Sequence, residues 1–304
     1  MTRVLVTGAS GFIGRHVLPL LAERGYEVHA ASRHAPRHDL ANASWHAADL
    51  LSETDRGRLI ATVRPTALLH LAWYAEPGAF WRSNENLRWA AASIELFRVA
   101  AAAGVRRIVG TGTCAEYDWS RGLCVERETP LEPSTLYGAA KRATGMLLEA
   151  FGNVSGMSAA WARVFFTYGP GERSKRLVGS TIARLLAGER APTTAGTQVR
   201  DFLHVADVAA GIVAVLDSVA EGPVNIGSGQ GVAVADLVRT LGRLVNRPDL
   251  IGIGDLPGNP NEAPRVVADV QRLRTEIGWA PRFDLESGLA ATVDWARGAA
   301  GERS

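Results

Sequence analysis

The sequence predicts an α/β protein built on a doubly wound parallel sheet, with a smaller α/β unit toward its C-terminal end. Three observations predict it. Short apolar runs such as Val4-Leu5-Val6 and Ala67 to Ala72, which suit strands covered on both faces, alternate with longer segments of helical periodicity. Glycines at 8, 11 and 14 join the first such run to the first helical segment. The chain has 304 residues, 47% of them hydrophobic, enough to bury the core that such a sheet requires.

The first strand covers Arg3 to Thr7, and Gly8, Gly11 and Gly14 follow it in the order G-x-x-G-x-x-G. Glycines so placed let the backbone turn tightly, approach a pyrophosphate and pack the next helix against the strand. The helix N-terminus adds unpaired N–H donors and a positive dipole end, which makes the loop a dinucleotide phosphate site. Phe12 to Leu21 opens that helix and Gly25 stops it, while Pro19 predicts a bend or break inside it. Tyr26 to Ser32 reads as the second strand. At its end, where an acidic residue would bind the ribose hydroxyls of NAD, stand Ser32 and Arg33, with Arg37 close behind. A guanidinium there suits a 2′-phosphate, so NADP is expected rather than NAD. Asp49 closes a third short strand at a position from which it can reach the adenine.

Ala67 to Ala72 forms the fourth strand, followed by Trp73, Tyr74, Phe80 and Trp81, aromatics that either line a pocket or pack the core. Leu87, Ala90, Ile94, Phe97 and Ala101 then repeat at helical spacing until Gly104. The fifth strand starts at Arg107 and carries Thr111 to Tyr117 to the sheet edge that holds the glycine loop, because parallel strands place their C-terminal ends on one side. Pro133, Ser134 and Thr135 are helix-start residues, and Tyr137 and Lys141, four apart, share one face of the helix they open. A free tyrosine titrates near 10, and a neighbouring ammonium favours its phenolate, bringing it toward working pH as an acid or base. Lysine occurs only at Lys141 and Lys175 in a chain that otherwise takes its positive charge from arginine.

The bulk properties exclude several classes. A net charge of +2 with scattered arginines argues against nucleic-acid binding. No apolar run reaches membrane-spanning length, and a strand beginning almost at Met1 leaves no room for a signal peptide, so a cytoplasmic protein without a membrane partner is expected. Cys114 and Cys124 read as reduced thiols, and the seven histidines form no metal-binding pattern.

The glycine segment TGASGFIG, Thr113 and Tyr137-Gly-Ala-Ala-Lys141 together resemble the extended short-chain dehydrogenase/reductase superfamily, in particular its sugar-nucleotide epimerase, dehydratase and reductase branch. Arg163 to Pro170, Val199 to Val208 and Pro223 to Gly229 resemble later landmarks of that branch, so the likeness covers nearly the whole chain. It implies a Rossmann-type cofactor domain of residues 1–167 and 203–218 and a smaller substrate domain of residues 168–202 and 219–304. The implied cofactor-binding residues are Gly8, Ser10, Gly11, Phe12, Ile13, Gly14, Ser32, Arg33, Asp49, Leu50, Leu71, Ala72, Tyr137 and Lys141. Catalysis would fall to Tyr137 as proton donor and acceptor, Thr113 hydrogen-bonding the reacting oxygen, and Lys141 holding the nicotinamide ribose. Trp73, Thr113, Arg176, Arg200 and Arg265 would bind the nucleoside-diphosphate sugar, Arg200 and Arg265 through its diphosphate. A homodimer through the Leu87–Ala103 and Tyr137–Phe151 helices is implied as well.

The departures narrow the chemistry. Phe166 and Trp89 stand where relatives often carry asparagine. Cys114 and Ala115 replace the Asp-Glu pair of the dehydratases, and Glu116 comes one place late, turned to the other face of a strand. With 4,6-dehydration disfavoured, the expected reaction is NADPH-dependent reduction of a nucleoside-diphosphate 4-keto-6-deoxyhexose, with NAD-dependent 4-epimerisation as the alternative. A reductase of lipophilic ketones and a non-catalytic NADP sensor lie further off, the Tyr137–Lys141 pair arguing against the sensor.

Overall fold

A computed structural model describes residues 2–34 and 43–301, so Arg37 lies outside the described residues. Strand β1 (Arg3–Thr7) leads through the glycine loop into α1 (Gly14–Glu23), followed by β2 (Glu27–Ser32), β3 (Ser44–Ala47), α2 (Glu53–Val63), β4 (Ala67–His70), α3 (Glu85–Ala102) and β5 (Arg107–Thr113). Two 3-10 turns, Cys114–Glu116 and Trp119–Arg121, precede β6 (Leu123–Cys124), α4 (Leu136–Ser155), β7 (Ser158–Val164) and β8 (Phe166–Tyr168). The remainder comprises α5 (Leu177–Leu186), β9 (Ala191–Thr193), β10 (Val199–His204), α6 (Val205–Asp217), β11 (Gly222–Ile226), β12 (Gly231–Ala233) and α7 (Val234–Val245). It closes with β13 (Ile251–Ile253), β14 (Arg265–Ala268), α8 (Gln271–Thr275) and α9 (Leu285–Gly301).

Seven parallel strands form the central sheet in the order β11-β7-β5-β4-β1-β2-β3, the doubly wound arrangement expected. The strand order reverses between β1 and β4, and a crevice opens at the carboxyl ends of strands at such a reversal. Alternate residues of one strand feed opposite layers. Val4 and Val6 pack with Val17, Leu21, Val208 and Ile212 on the α1/α6 side, while Leu5 packs with Leu59, Ile60, Leu96 and Phe97 on the α2/α3 side. A third core of Ile182, Leu185, Leu237, Leu241 and Val293 lies among α5, α7 and α9. Among the described residues no helix is long and apolar enough to cross a membrane.

Three expectations change. α1 runs unbroken through Pro19, with Val17, Leu18 and Leu21 buried around it, so proline removes one internal hydrogen bond without ending the helix. α2 was not expected, because its sequence ETDRGRLIATV is largely polar; Ser52 caps it by accepting from the Asp55 N–H at 3.3 Å. The domain boundary at residue 218 is displaced: β11 pairs in parallel with β7, Gly222 opposite Ala160, and so belongs to the central sheet. Conversely, β6 and β8 pair with β14 and β10 of the smaller sheet rather than with the central one.

Candidate active site

The glycine loop owes its residues to close packing. Gly8 has φ +68°, and a Cβ there would stand 2.7 Å from the Ala72 nitrogen, so only glycine lets the loop fold onto the end of β4. A Cβ at Gly14 would lie 2.3 Å from the Gly8 carbonyl oxygen. No side chain caps the start of α1; the Arg15 and His16 N–H groups donate to the Gly11 and Ile13 carbonyls at 3.2 and 3.0 Å, and the Gly14 N–H is left to a ligand. Ser10, Gly11, Phe12, Ile13 and Gly14 line a cleft of about 880 Å³ at the carboxyl ends of the central strands, as do Ser32, Arg33, Leu50, Leu71 and Ala72. A glycine turn at the positive end of a helix dipole and an arginine at the end of β2 suit a dinucleotide with phosphate groups. Asp49 does not join this lining; it is exposed, and its carboxylate accepts from the Leu51 N–H at 3.0 Å, shaping the turn before α2.

On the far side of the cleft stand Thr113, Tyr137 and Lys141. Thr135 caps α4 by accepting from the Gly138 N–H at 3.1 Å, and a Cβ at Gly138 would lie 2.2 Å from the Ala115 carbonyl oxygen. That close approach sets the first turn of α4 against the end of β5. The Tyr137 N–H donates to the Trp81 carbonyl at 3.1 Å, and burial raises its phenol above the usual tyrosine range, opposed by the Thr113 hydroxyl and Arg176. Lys141, one turn on, donates from Nζ to the Thr111 carbonyl at 2.7 Å and sits 4.0 Å from the centre of the Trp73 ring. Burial lowers it to about 7, against the pull of Glu116. The expectation that Lys141 brings the phenol toward working pH is therefore not met in this arrangement, since its ammonium is directed to a β5 carbonyl and an indole face.

Thr113 is held from behind. Its hydroxyl accepts from the Ala115 N–H at 3.2 Å, while Glu116 Oε1 accepts from the Thr113 N–H at 2.8 Å and from Trp161 Nε1 at 2.9 Å. Glu116 Oε2 accepts from Arg163 Nε at 2.8 Å, and both side chains are buried. Glu116 thus faces away from the cleft, as expected, but through a 3-10 turn rather than strand alternation.

The residues expected at the substrate end divide. Trp73 and Arg176 line the cleft, Trp73 donating its indole N–H to Asn86 Oδ1 at 2.9 Å. Arg200 and Arg265 do not line it. Arg200 is buried, paired with Glu262 at 2.7 Å and 5.5 Å from the Phe166 ring centre. Arg265 is exposed on β14, opposite Val199 and one register step from Arg200. Sequence reading missed Glu172, Trp119 and Phe202, all on the cleft wall. Glu172 accepts from the Gly179 N–H at 3.0 Å, and burial raises its carboxyl to about 7 against the pull of Arg176. The signal for Trp119 and Phe202 is only their proximity in sequence to Thr113 and Arg200.

Comparison with known proteins agrees with this geometry. The chain is 28% identical to the UDP-glucose 4-epimerase of Azospirillum brasilense, over 97% of its own length and 92% of the relative's. It is 28% identical to a dTDP-glucose 4,6-dehydratase of Xanthomonas campestris, over 97% and 93%. The crystal structure of Thermus thermophilus UDP-glucose 4-epimerase in complex with NAD superposes with a TM-score of 0.84 at 27% identity, over 98% of this chain and 100% of that one. A family model, the NAD dependent epimerase/dehydratase family, matches residues 4–227, the stretch that carries the glycine loop, Thr113, Tyr137 and Lys141; the chain belongs to that family.

Proposed function

We propose that this protein is an NAD-dependent 4-epimerase of a nucleoside-diphosphate sugar. One observation carries the reading: Thr113, Tyr137 and Lys141 share a cleft with the glycine loop, while Cys114 and Ala115 occupy the positions where elimination of water would need an acid and a base. The Azospirillum epimerase and the NAD-bound epimerase structure support it over the reductase expected from sequence. A bound nicotinamide dinucleotide supplies the acceptor and donor of hydride. With the charge of the oxidised nicotinamide ring offsetting the burial that raises its phenol, Tyr137 would take the proton of the C4 hydroxyl as a phenolate and return it to the same oxygen, and the Thr113 hydroxyl orients that oxygen. The glycine loop and the Gly14 N–H at the start of α1 would hold the pyrophosphate of the dinucleotide. Arg176, on the cleft wall, takes the diphosphate of the substrate, and Lys141 holds the ribose next to the nicotinamide.

Incubation with UDP-glucose and a trace of NAD tests this: UDP-galactose accumulates with no net NADH, and Tyr137→Phe lowers kcat by about 10²- to 10⁴-fold. Net oxidation of a reduced nicotinamide, with no interconversion of sugars, would overturn it.

A second reading rests on Arg33, which lines the cleft at the end of β2 where no acidic residue stands. It makes the protein an NADPH-dependent reductase of a nucleoside-diphosphate 4-keto sugar. NADPH would then bind more tightly than NADH, and Arg33→Ala would abolish the difference.

A further inference from the structure

Six aromatic rings run in an unbroken chain along the cleft wall that holds Tyr137. Phe80 and Trp81 stand edge-on to Tyr137 with ring centroids 4.8 and 5.7 Å away. Trp119 lies 6.4 Å from Trp81, Phe166 6.2 Å from Trp119, and Phe202 6.0 Å from Phe166. All six line the cleft and all are half-buried, so each keeps surface for a ligand. They come from five separate parts of the chain: the loop after β4, the 3-10 turn after β5, the start of α4, β8 and β10. The tertiary fold alone assembles them.

This wall has few polar atoms. The Trp119 N–H already donates to the Cys114 carbonyl at 2.7 Å, which leaves the Tyr137 hydroxyl and the Trp81 N–H. Of the charged residues of the cleft, Arg33 sits at the end of β2 and Glu172, Arg173, Lys175 and Arg176 in the segment before α5. The three nearer the rings are engaged elsewhere: Glu76 with Arg173, Glu85 with Arg88, and Lys141 with the Thr111 carbonyl. Arg200 stays behind the Phe166 ring, paired with Glu262.

We propose that this aromatic chain is the specificity element for the sugar, and that it selects a 6-deoxyhexose over a hexose carrying a hydroxyl or carboxylate at C6. The inference rests on the sugar-nucleotide reading above and holds for epimerase and reductase alike. In a hexose that reacts at C4 beside Tyr137, the largest adjacent substituent is C6 on C5. Aromatic faces accept C–H groups and methyls, whereas a hydroxyl brought against them loses water without gaining a partner. An apolar pocket rejects an added hydroxyl by about 10²-fold at most, and a carboxylate more strongly.

Calorimetric binding of UDP- and dTDP-linked 6-deoxyglucose, glucose and glucuronate tests it, since each series differs only at C6. The 6-deoxy compound should bind about 10- to 100-fold more tightly than the glucose compound, with the glucuronate weakest. Phe166→Asn should shrink that ratio, and Phe166→Leu, apolar but not aromatic, should keep most of it; thermal melts establish that both variants fold. Equal or tighter binding of the glucose compound overturns the inference while leaving the sugar-nucleotide reading intact. Failure of every nucleotide sugar, and of UDP and dTDP alone, to bind overturns that reading and the inference with it.

Discussion

Two ionisable groups in the cleft, the buried Lys141 and the half-buried Glu172, depart from their ordinary behaviour in ways that stability against pH can read. Glu172 is raised from 4.5 to about 7 because burial penalises its carboxylate. Between those values the folded state holds the proton that the unfolded chain has released, so this group lowers stability as pH rises from 4.5 to 7. Glu172→Gln keeps an acceptor for the Gly179 N–H and removes the charge. It should stabilise the protein by up to about 2 kcal/mol at pH 8, with no gain at pH 4, in urea titrations at the two values. Lys141 shifts the other way, from 10.5 to about 7, again through burial. Below 7 it is charged in both states and the full burial cost applies; from 7 to 10.5 the unfolded chain keeps a proton that the folded one has lost, and stability rises with pH. Lys141→Met should therefore raise Tm by a few degrees at pH 6, a gain that fades by pH 10, while abolishing turnover. A Tm that falls at pH 6 would show that the Thr111 hydrogen bond and the Trp73 contact outweigh the burial of charge.

At the scale of elements, the site depends on how the ends of β5, α4 and β7 are tied together. Glu116 links the Thr113 backbone of β5 to Trp161 and Arg163 of β7, and Gly138 lets α4 close on Ala115. Glu116→Gln preserves the shape but leaves the Arg163 guanidinium buried without its counter-charge. It should cost about 3–5 kcal/mol in denaturant unfolding, and any folded fraction should show lower kcat with little change in KM, because the Thr113 position loosens. Much of this level was legible in the sequence. The strands β1, β2, β4 and β5 are short apolar runs, and the glycine loop joins the first of them to α1 by a local turn. α2 was not legible, because its polar sequence shows little periodicity. Nor was the continuity of α1 through Pro19, which buried Val17, Leu18 and Leu21 maintain.

At the scale of the molecule, α3 and α4 pack side by side and leave Leu87, Met146 and Leu147 about half exposed, at 57%, 52% and 49%. We propose that this face pairs with a second copy of the chain, as the family resemblance implies. Leu147→Glu should convert the dimer to a monomer in sedimentation at micromolar concentration with little loss of Tm, whereas a wild-type monomer would refute the pairing.

The sequence by itself determined the parallel sheet, the glycine turn and the Tyr137–Lys141 helix face, because each depends on residues close together in the chain: an apolar run, a backbone that must turn, two positions four apart. Only the tertiary structure decided that β11 joins the central sheet, that Arg200 is paired with Glu262 rather than turned to the cleft, and that six aromatic rings from five segments form one wall. Those outcomes are long-range pairings, and local spacing carries no information about which distant side chain will compete for a charge or which rings will meet across a cleft.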